Sequence, residues 1–290
     1  MSRRFFQVDV FSVRAGSGNP LAVVLDAEGL DSGQMQAIAS WCNLAETTFV
    51  LPPTTAEASY RVRIFTTRQE IAFAGHPSIG TAHAVVAAGL VPADTAVLMQ
   101  ECRAGLLPVR MQGEGNQATV SVRVPNSRIV RFADADDVLL HAALSGCPQG
   151  ALAPALVEGG RRWWLAELTD EQTVRGMQPD GAAIRALAEQ TASLGLCVFA
   201  HCATADYGLV VRAFPLGVGI DEDPASGAAN AAIAAFLDET GSLRALGDSF
   251  TVSQGREMGR DAQLLLQLDS ERRVWVGGAC RSLVRGHLHW

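Results

Sequence analysis

The stretch Gly75-His76-Pro77-Ser78-Ile79-Gly80-Thr81-Ala82-His83-Ala84-Val85-Val86-Ala87-Ala88-Gly89 returns, altered, as Asp223-Pro224-Ala225-Ser226-Gly227-Ala228-Ala229-Asn230-Ala231-Ala232-Ile233-Ala234-Ala235-Phe236-Leu237. Each reads as one helix. In both, a residue able to cap, His76 or Asp223, precedes a proline at the first helical position, where its missing N–H costs nothing, and a small-residue turn opens an alanine-rich body. The two bodies are apolar nearly all round, the pattern of a helix buried on every side rather than one lying on a surface. Alanine lets a surrounding sheet approach closely.

Working outward, Arg63-Ile64-Phe65 has its counterpart in Arg212-Ala213-Phe214, and Thr47 to Phe65 matches Leu196 to Phe214 in length and strand pattern. Further upstream, Asp31-Ser32-Gly33-Gln34-Met35-Gln36-Ala37-Ile38-Ala39 lines up with Asp180-Gly181-Ala182-Ala183-Ile184-Arg185-Ala186-Leu187-Ala188. A single long duplication is not a solenoid. It predicts an α+β protein of two pseudo-symmetric lobes, each a mixed sheet wrapped around a central helix. The N-terminal lobe is expected over residues 1–124, completed by the strand-like tail 277–290, and the C-terminal lobe over 125–276. If the lobes face each other about a pseudo-twofold axis, both helix N-termini point into one cleft, where unpaired N–H groups and partial positive charge would hold a small carboxylate. The plainer alternative is two well-capped buried helices and no ligand.

A chain of 290 residues can bury a large core. Net charge −7 leaves no basic surface for nucleic acid, and no apolar run approaches the length of a membrane span. Gln7 and Asp9 interrupt any signal-peptide core in the first segment, which therefore reads as the first strand of a cytoplasmic protein. The six cysteines, Cys42, Cys102, Cys147, Cys197, Cys202 and Cys280, form no Cys-x-x-Cys pair, so neither a metal site nor a redox motif is expected. All 23 basic residues are arginine. That excludes a protein Schiff base, and with it lysine-anchored pyridoxal phosphate, as well as a Walker A loop.

Along the chain, Gly16-Ser17-Gly18-Asn19-Pro20 is a tight turn before the buried strand Leu21–Leu25, and Asp31 to Trp41 has helical spacing with Asp31 or Ser32 as cap and Met35, Ile38 and Ala39 on one face. Glu46 then stands where an apolar helix passes directly into an apolar strand. Partial desolvation there would disfavour its charge and move its pKa toward neutrality, as a general acid/base requires. An exposed junction carboxylate is the alternative. Strands follow at Tyr60–Phe65, between Ala96 and Met111, and at Ala118–Val124, before Pro125-Asn126-Ser127 and the acidic Asp134–Asp137, read as the lobe crossing and the cap of the next helix.

The set Asp9-Val10-Phe11, Gly18-Asn19-Pro20, Asn43-Leu44-Ala45-Glu46-Thr47, Gly75-His76-Pro77-Ser78-Ile79-Gly80-Thr81, Glu222-Asp223-Pro224-Ala225-Ser226-Gly227 and Gln254-Gly255…Met258-Gly259-Arg260 resembles the PhzF-like phenazine-biosynthesis family, nearly end to end and in order. The resemblance implies a diaminopimelate-epimerase-like fold, in which each lobe is a β-barrel around a central helix and the active site lies between lobes. It implies an isomerase that moves a proton from one ring carbon to another without metal or organic cofactor, as in isomerisation of trans-2,3-dihydro-3-hydroxyanthranilate. On this pattern Glu46, His76 and Asp223 are the catalytic residues, Asn19, Gly75, Ser78, Ser226 and Gly227 bind a small carboxylate substrate, and the protein is a homodimer. Ala228 stands where the family often has serine, Ser226 where it usually has threonine, and Asp261-Ala262 where Pro-Ser commonly follows the arginine. These departures bear on the substrate more than on the chemistry.

Two competing functions remain open on the residues. A cofactor-independent racemase or epimerase would need two opposed thiols at the helix starts, and no cysteine lies at either. A non-catalytic small-molecule-binding protein would keep the cleft without turnover.

Overall fold

The computed structural model describes residues 2–113, 118–202 and 206–290. The chain divides into two compact units, Met1–Arg123 with Gly277–Trp290, and Val124–Val276. The first contains β1 (Ser2–Val10), β2 (Asn19–Val24), α1 (Ser32–Cys42), β3 (Glu46–Leu51), β4 (Tyr60–Thr66), β5 (Glu70–Ile71), α2 (Gly75–Ala87), β6 (Val97–Cys102), β7 (Gly105–Gln112) and β8 (Thr119–Arg123). The second contains β9 (Arg128–Phe132), α3 (Val138–Ala143), β10 (Ala155–Glu158), β11 (Arg162–Glu167), α4 (Glu171–Gly176), α5 (Gly181–Thr191), β12 (Leu196–His201), β13 (Leu209–Phe214), α6 (Gly227–Glu239), β14 (Ser249–Gln254) and β15 (Ala262–Leu268). The last strand, β16 (Val274–His289), begins in the second unit and ends in the first.

In the first unit the strands run β1-β2-β3-β4-β6-β7-β8-β16, and β16 pairs back onto β1, from Ser2 opposite His289 to Val10 opposite Cys280. The sheet therefore closes on itself and keeps no open edge in that ring. Helix α2 lies inside and touches β1, β2, β3, β6, β7 and β8. Its small residues allow this: a Cβ on Gly80 would lie 2.6 Å from Leu21 Cδ2 and 2.8 Å from Val10 Cγ2. Outside the ring, α1 packs Met35, Ile38 and Ala39 onto Val24, Phe49 and Phe65. Its start is fixed by a capping box between Asp31 and Gln34, and it ends at Asn43 in the left-handed region.

The second unit repeats these connections. β11 runs parallel to β12 as β2 does to β3, β12 antiparallel to β13 as β3 does to β4, and β13 parallel to β14 as β4 does to β6. Helix α5 again starts at an aspartate cap, Asp180, and ends at a left-handed residue, Ala192. Helix α6 is packed by β9, β10, β11 and β15, so this sheet too curves around its helix. Ile184, Leu187, Val198 and Phe214 sit in the core under α5.

Several local expectations are corrected. Neither proline opens its helix: α2 starts at Gly75, so Pro77 is its third residue, and α6 starts at Gly227, leaving Asp223 and Pro224 outside it. Nor do His76 and Asp223 cap. The N-cap of α2 is Ala74, with no side-chain hydrogen bond, whereas the hydroxyl of Ser226 caps α6 by accepting from Ala229 N at 3.3 Å. Asp223 cannot be helical because its N–H donates to Ala213 O at 2.9 Å, which extends the β13 pairing. Asp137 does precede α3, but Arg131 takes its carboxylate at 2.7 and 2.5 Å, so it makes no cap bond. β5 and β9 were not anticipated.

Candidate functional site

Glu46 is the first residue of β3, reached by the left-handed turn at Asn43 that ends α1, and lies opposite Thr66 on β4. Its side chain is 17% exposed. A carboxylate oxygen, Oε2, lies 3.5 Å from Nδ1 of His76, which is almost wholly buried as the second residue of α2. Burial pushes the imidazole down to about 3, with only a bond to the Pro20 backbone acting the other way. The ring is therefore neutral at pH 7 and its contact with Glu46 is not an ion pair. Its second nitrogen, Nε2, is buried with no hydrogen-bond partner among the described residues.

The turn before β2 completes this corner. Asp9, buried on β1, accepts from Ser17 N at 3.1 Å and Gly18 N at 3.0 Å, which fixes the loop that delivers Asn19 and Pro20. Gly18 sits so close to β1 that a Cβ would lie 2.1 Å from Val10 O. Asn19 is buried at the start of β2, opposite Val10. The first two amides of α2, on Gly75 and His76, have no intrahelical acceptor, and Ala74 supplies no side-chain oxygen in its place. A small anion is the natural partner for such a start.

Ser78, an expected substrate contact, is the fourth residue of α2. It is fully buried, its hydroxyl donates to Ala74 O at 2.9 Å, and it accepts from Gln100 Nε2 at 2.9 Å. Gln100 in turn accepts from the Tyr60 hydroxyl at 3.1 Å. Ser78 thus braces the helix start from inside the ring.

In the second unit Asp223, Ser226 and Gly227 occupy the approach to α6. The Asp223 carboxylate accepts from Ala225 N at 3.1 Å, and Glu222 just before it is clamped by Arg212, whose Nε and Nη2 each donate at 2.9 Å. Arg212 also donates to Met177 O at 2.6 Å. The first unit has the matching brace, Arg63 to Glu70 at 2.8 Å through both oxygens. The braces, the Asp9 turn and the two buried glutamines are features that the sequence motifs contained without announcing a role; the matched Arg-x-Phe triplets were the available signal.

Burial pushes Cys197 and Cys280 far up and keeps them as neutral thiols, with Asp223 reinforcing this at Cys197. Among the described residues no group of three or more His, Cys, Asp or Glu side chains is placed to hold a metal ion. Among them, too, no helix is long and apolar enough to cross a membrane.

Residues 8–286 match the phenazine biosynthesis-like protein family, to which this chain belongs. It is 33% identical over 97% of both chains to antisense-enhancing sequence 1 of Schizosaccharomyces pombe. It is 30% identical over 96% of both chains to the trans-2,3-dihydro-3-hydroxyanthranilate isomerase of Pseudomonas chlororaphis. The fold matches a PhzF-family phenazine biosynthesis protein of Bacillus anthracis with a TM-score of 0.85 at 23% identity, covering all of both chains. The chain is an isomerase of this family.

Proposed function

We propose that this isomerase moves a proton on a small unsaturated cyclic or amino carboxylate without a cofactor, with Glu46 as general acid/base and His76 and Asp223 as the supporting catalytic groups. The observation that carries this reading is the Glu46 carboxylate set 3.5 Å from a buried, neutral His76 at a helix start with no side-chain cap. The Glu46 carboxylate takes a proton from a saturated carbon beside the unsaturated system. The electron pair left behind delocalises toward the substrate carboxylate, where the amides at Gly75 and His76 stabilise it. Glu46, now protonated, returns the proton to a different carbon. One group serves both transfers, so the net change is isomerisation and no oxidant or reductant is consumed. The unmatched Nε2 of His76 is available to a substrate polar group. Ala228 in place of a hydroxyl residue favours a substrate that asks for one polar contact fewer. The protein is expected to work as a homodimer, which sedimentation checks.

The test is an NMR assay in deuterated buffer with wild type and Glu46→Gln in parallel, using trans-2,3-dihydro-3-hydroxyanthranilate and a panel of small unsaturated and amino carboxylates. Deuterium incorporation or isomer formation by the wild type alone is the expected result. Equal exchange by both proteins would remove Glu46 from the mechanism, and no turnover of any compound would leave the proposed substrate class without support.

A further inference from the structure

Gln254 ends β14 and is completely buried, and its side chain bonds the segment before α6 and the first turn of that helix. Its Nε2 donates to Asp223 O at 2.8 Å. Its Oε1 accepts from Ser226 N at 3.2 Å and from Asn230 Nδ2 at 2.8 Å. Asn230 Nδ2 also donates to Ser226 O at 2.8 Å, which closes the network onto the first turn of the helix. The orientation of the Gln254 amide is not arbitrary: turned over, its NH2 would face two donors and its oxygen would face a carbonyl. One side chain therefore sets both the carbonyl of Asp223 and the N-cap of α6, a span of three residues.

The neighbouring residue reinforces the grip. Gly255 has φ +93°, and a Cβ there would lie 2.5 Å from Pro224 O, so β14 and the Asp223–Ser226 segment approach as closely as only glycine permits. From the other side, the Asp223 N–H is held by Ala213 O, and Glu222 by Arg212. The Asp223 backbone is thus held at both its N–H and its C=O, and Gln254 bonds both Asp223 and the helix start. In the first unit Gln100, on the strand equivalent to β14, bonds to Ser78 and Tyr60.

We propose that Gln254 is a positioning residue for Asp223: by bonding the Asp223 carbonyl and the Ser226 N–H its amide fixes the backbone that carries the Asp223 carboxylate relative to the Ser226-capped start of α6, so that the carboxylate and the helix start act on one substrate. This rests on the reading of Asp223 as a catalytic group given above. A misplacement of about 1 Å in a reacting group costs on the order of 100-fold in rate, whereas loss of a ground-state contact raises KM.

The experiment compares wild type, Gln254→Met, Asp223→Asn and the double variant, each measured for turnover of trans-2,3-dihydro-3-hydroxyanthranilate, for melting temperature, and for amide hydrogen exchange. Expected are a ten- to hundredfold fall in kcat for Gln254→Met with KM within about threefold, and a double variant no slower than Asp223→Asn, because Gln254 acts only through that residue. Additive losses, or a KM change with kcat preserved, would overturn the assignment. Ser226 N–H protection should fall at least tenfold in Gln254→Met while the Val198 and Phe199 amides of β12 stay protected. If no wild-type turnover is seen, the substrate reading fails, and the exchange data alone decide: unchanged protection at Ser226 refutes the positioning role, and selective loss sustains the coupling of Gln254 to this segment.

Discussion

The starts of α2 and α6 descend from one sequence pattern and end in two different structures. Both helices have 13 residues, and both follow a strand with an Arg-x-Phe triplet. When the two prolines are aligned, however, α2 begins two residues before its proline and α6 three residues after it. In the first unit His76 is carried within the helix, buried, with its ring against Glu46. In the second, Asp223 is held in an extended segment by Ala213 and Gln254, and the helix waits for Ser226. The lesson is that a helix start belongs to whichever backbone partners claim the preceding residues. A duplicated fold uses this freedom to present a ring in one unit and a carboxylate in the other.

The comparison can be broken or sharpened experimentally. The largest difference is expected in turnover: Glu46→Gln should lose about 10³-fold or more in kcat, as removal of a general acid/base does, and Asp223→Asn about 10²-fold. Equal effects, measured by deuterium incorporation, would mean that the two units contribute alike. Next come the two arginine braces. Arg212 is 7% exposed at its side chain and Arg63 24%. Removing a buried partner leaves an uncompensated charge, so Arg212→Met should cost about 3–5 kcal/mol and Arg63→Met about 1–2 kcal/mol in urea unfolding.

A third measurement separates the helix starts by pH. The ordinary imidazole value is 6.5, and burial holds His76 at about 3 and His83 at about 4, the latter helped by Arg285. Between pH 6.5 and those values the unfolded chain binds protons that the folded chain refuses, so stability falls as the pH is lowered through this window and is recovered above it. His76→Asn should flatten the dependence of melting temperature on pH between 6.5 and 4. An unchanged slope would show that other groups carry it. The smallest effect concerns caps: Ser226→Ala should destabilise by about 1 kcal/mol, and Ala74→Ser should stabilise by less than that while weakening carboxylate binding, because the new hydroxyl competes for the same amides.

Much of this was readable in residues alone. The α1 start at Asp31, its buried face of Met35, Ile38 and Ala39, and its match in α5 followed from spacing and capping chemistry, which act within a few residues and need no tertiary partner. The alanine bodies of α2 and α6 announced burial on all sides. Short β5 and β9 were not legible: β5 is only two residues long, and β9, with Arg128 and Arg131 in a run of five, has no clear apolar face. The bond between Ser78 and Gln100 was not legible either, because it joins residues 22 apart and depends on the ring around α2.

What the sequence by itself determined is the duplication, the fold class and the family, because these rest on periodicity and motif order; Glu46, His76 and Asp223 are candidates that the motif match supplies. What only the tertiary structure decided is where each helix begins, which buried amide grips which segment, and that the His76 ring is neutral. Those depend on long-range hydrogen bonds such as Gln254 to Asp223, separated by 31 residues, and on desolvation by strands far away in the chain. No local pattern encodes the partner that a backbone carbonyl will find across a closed sheet.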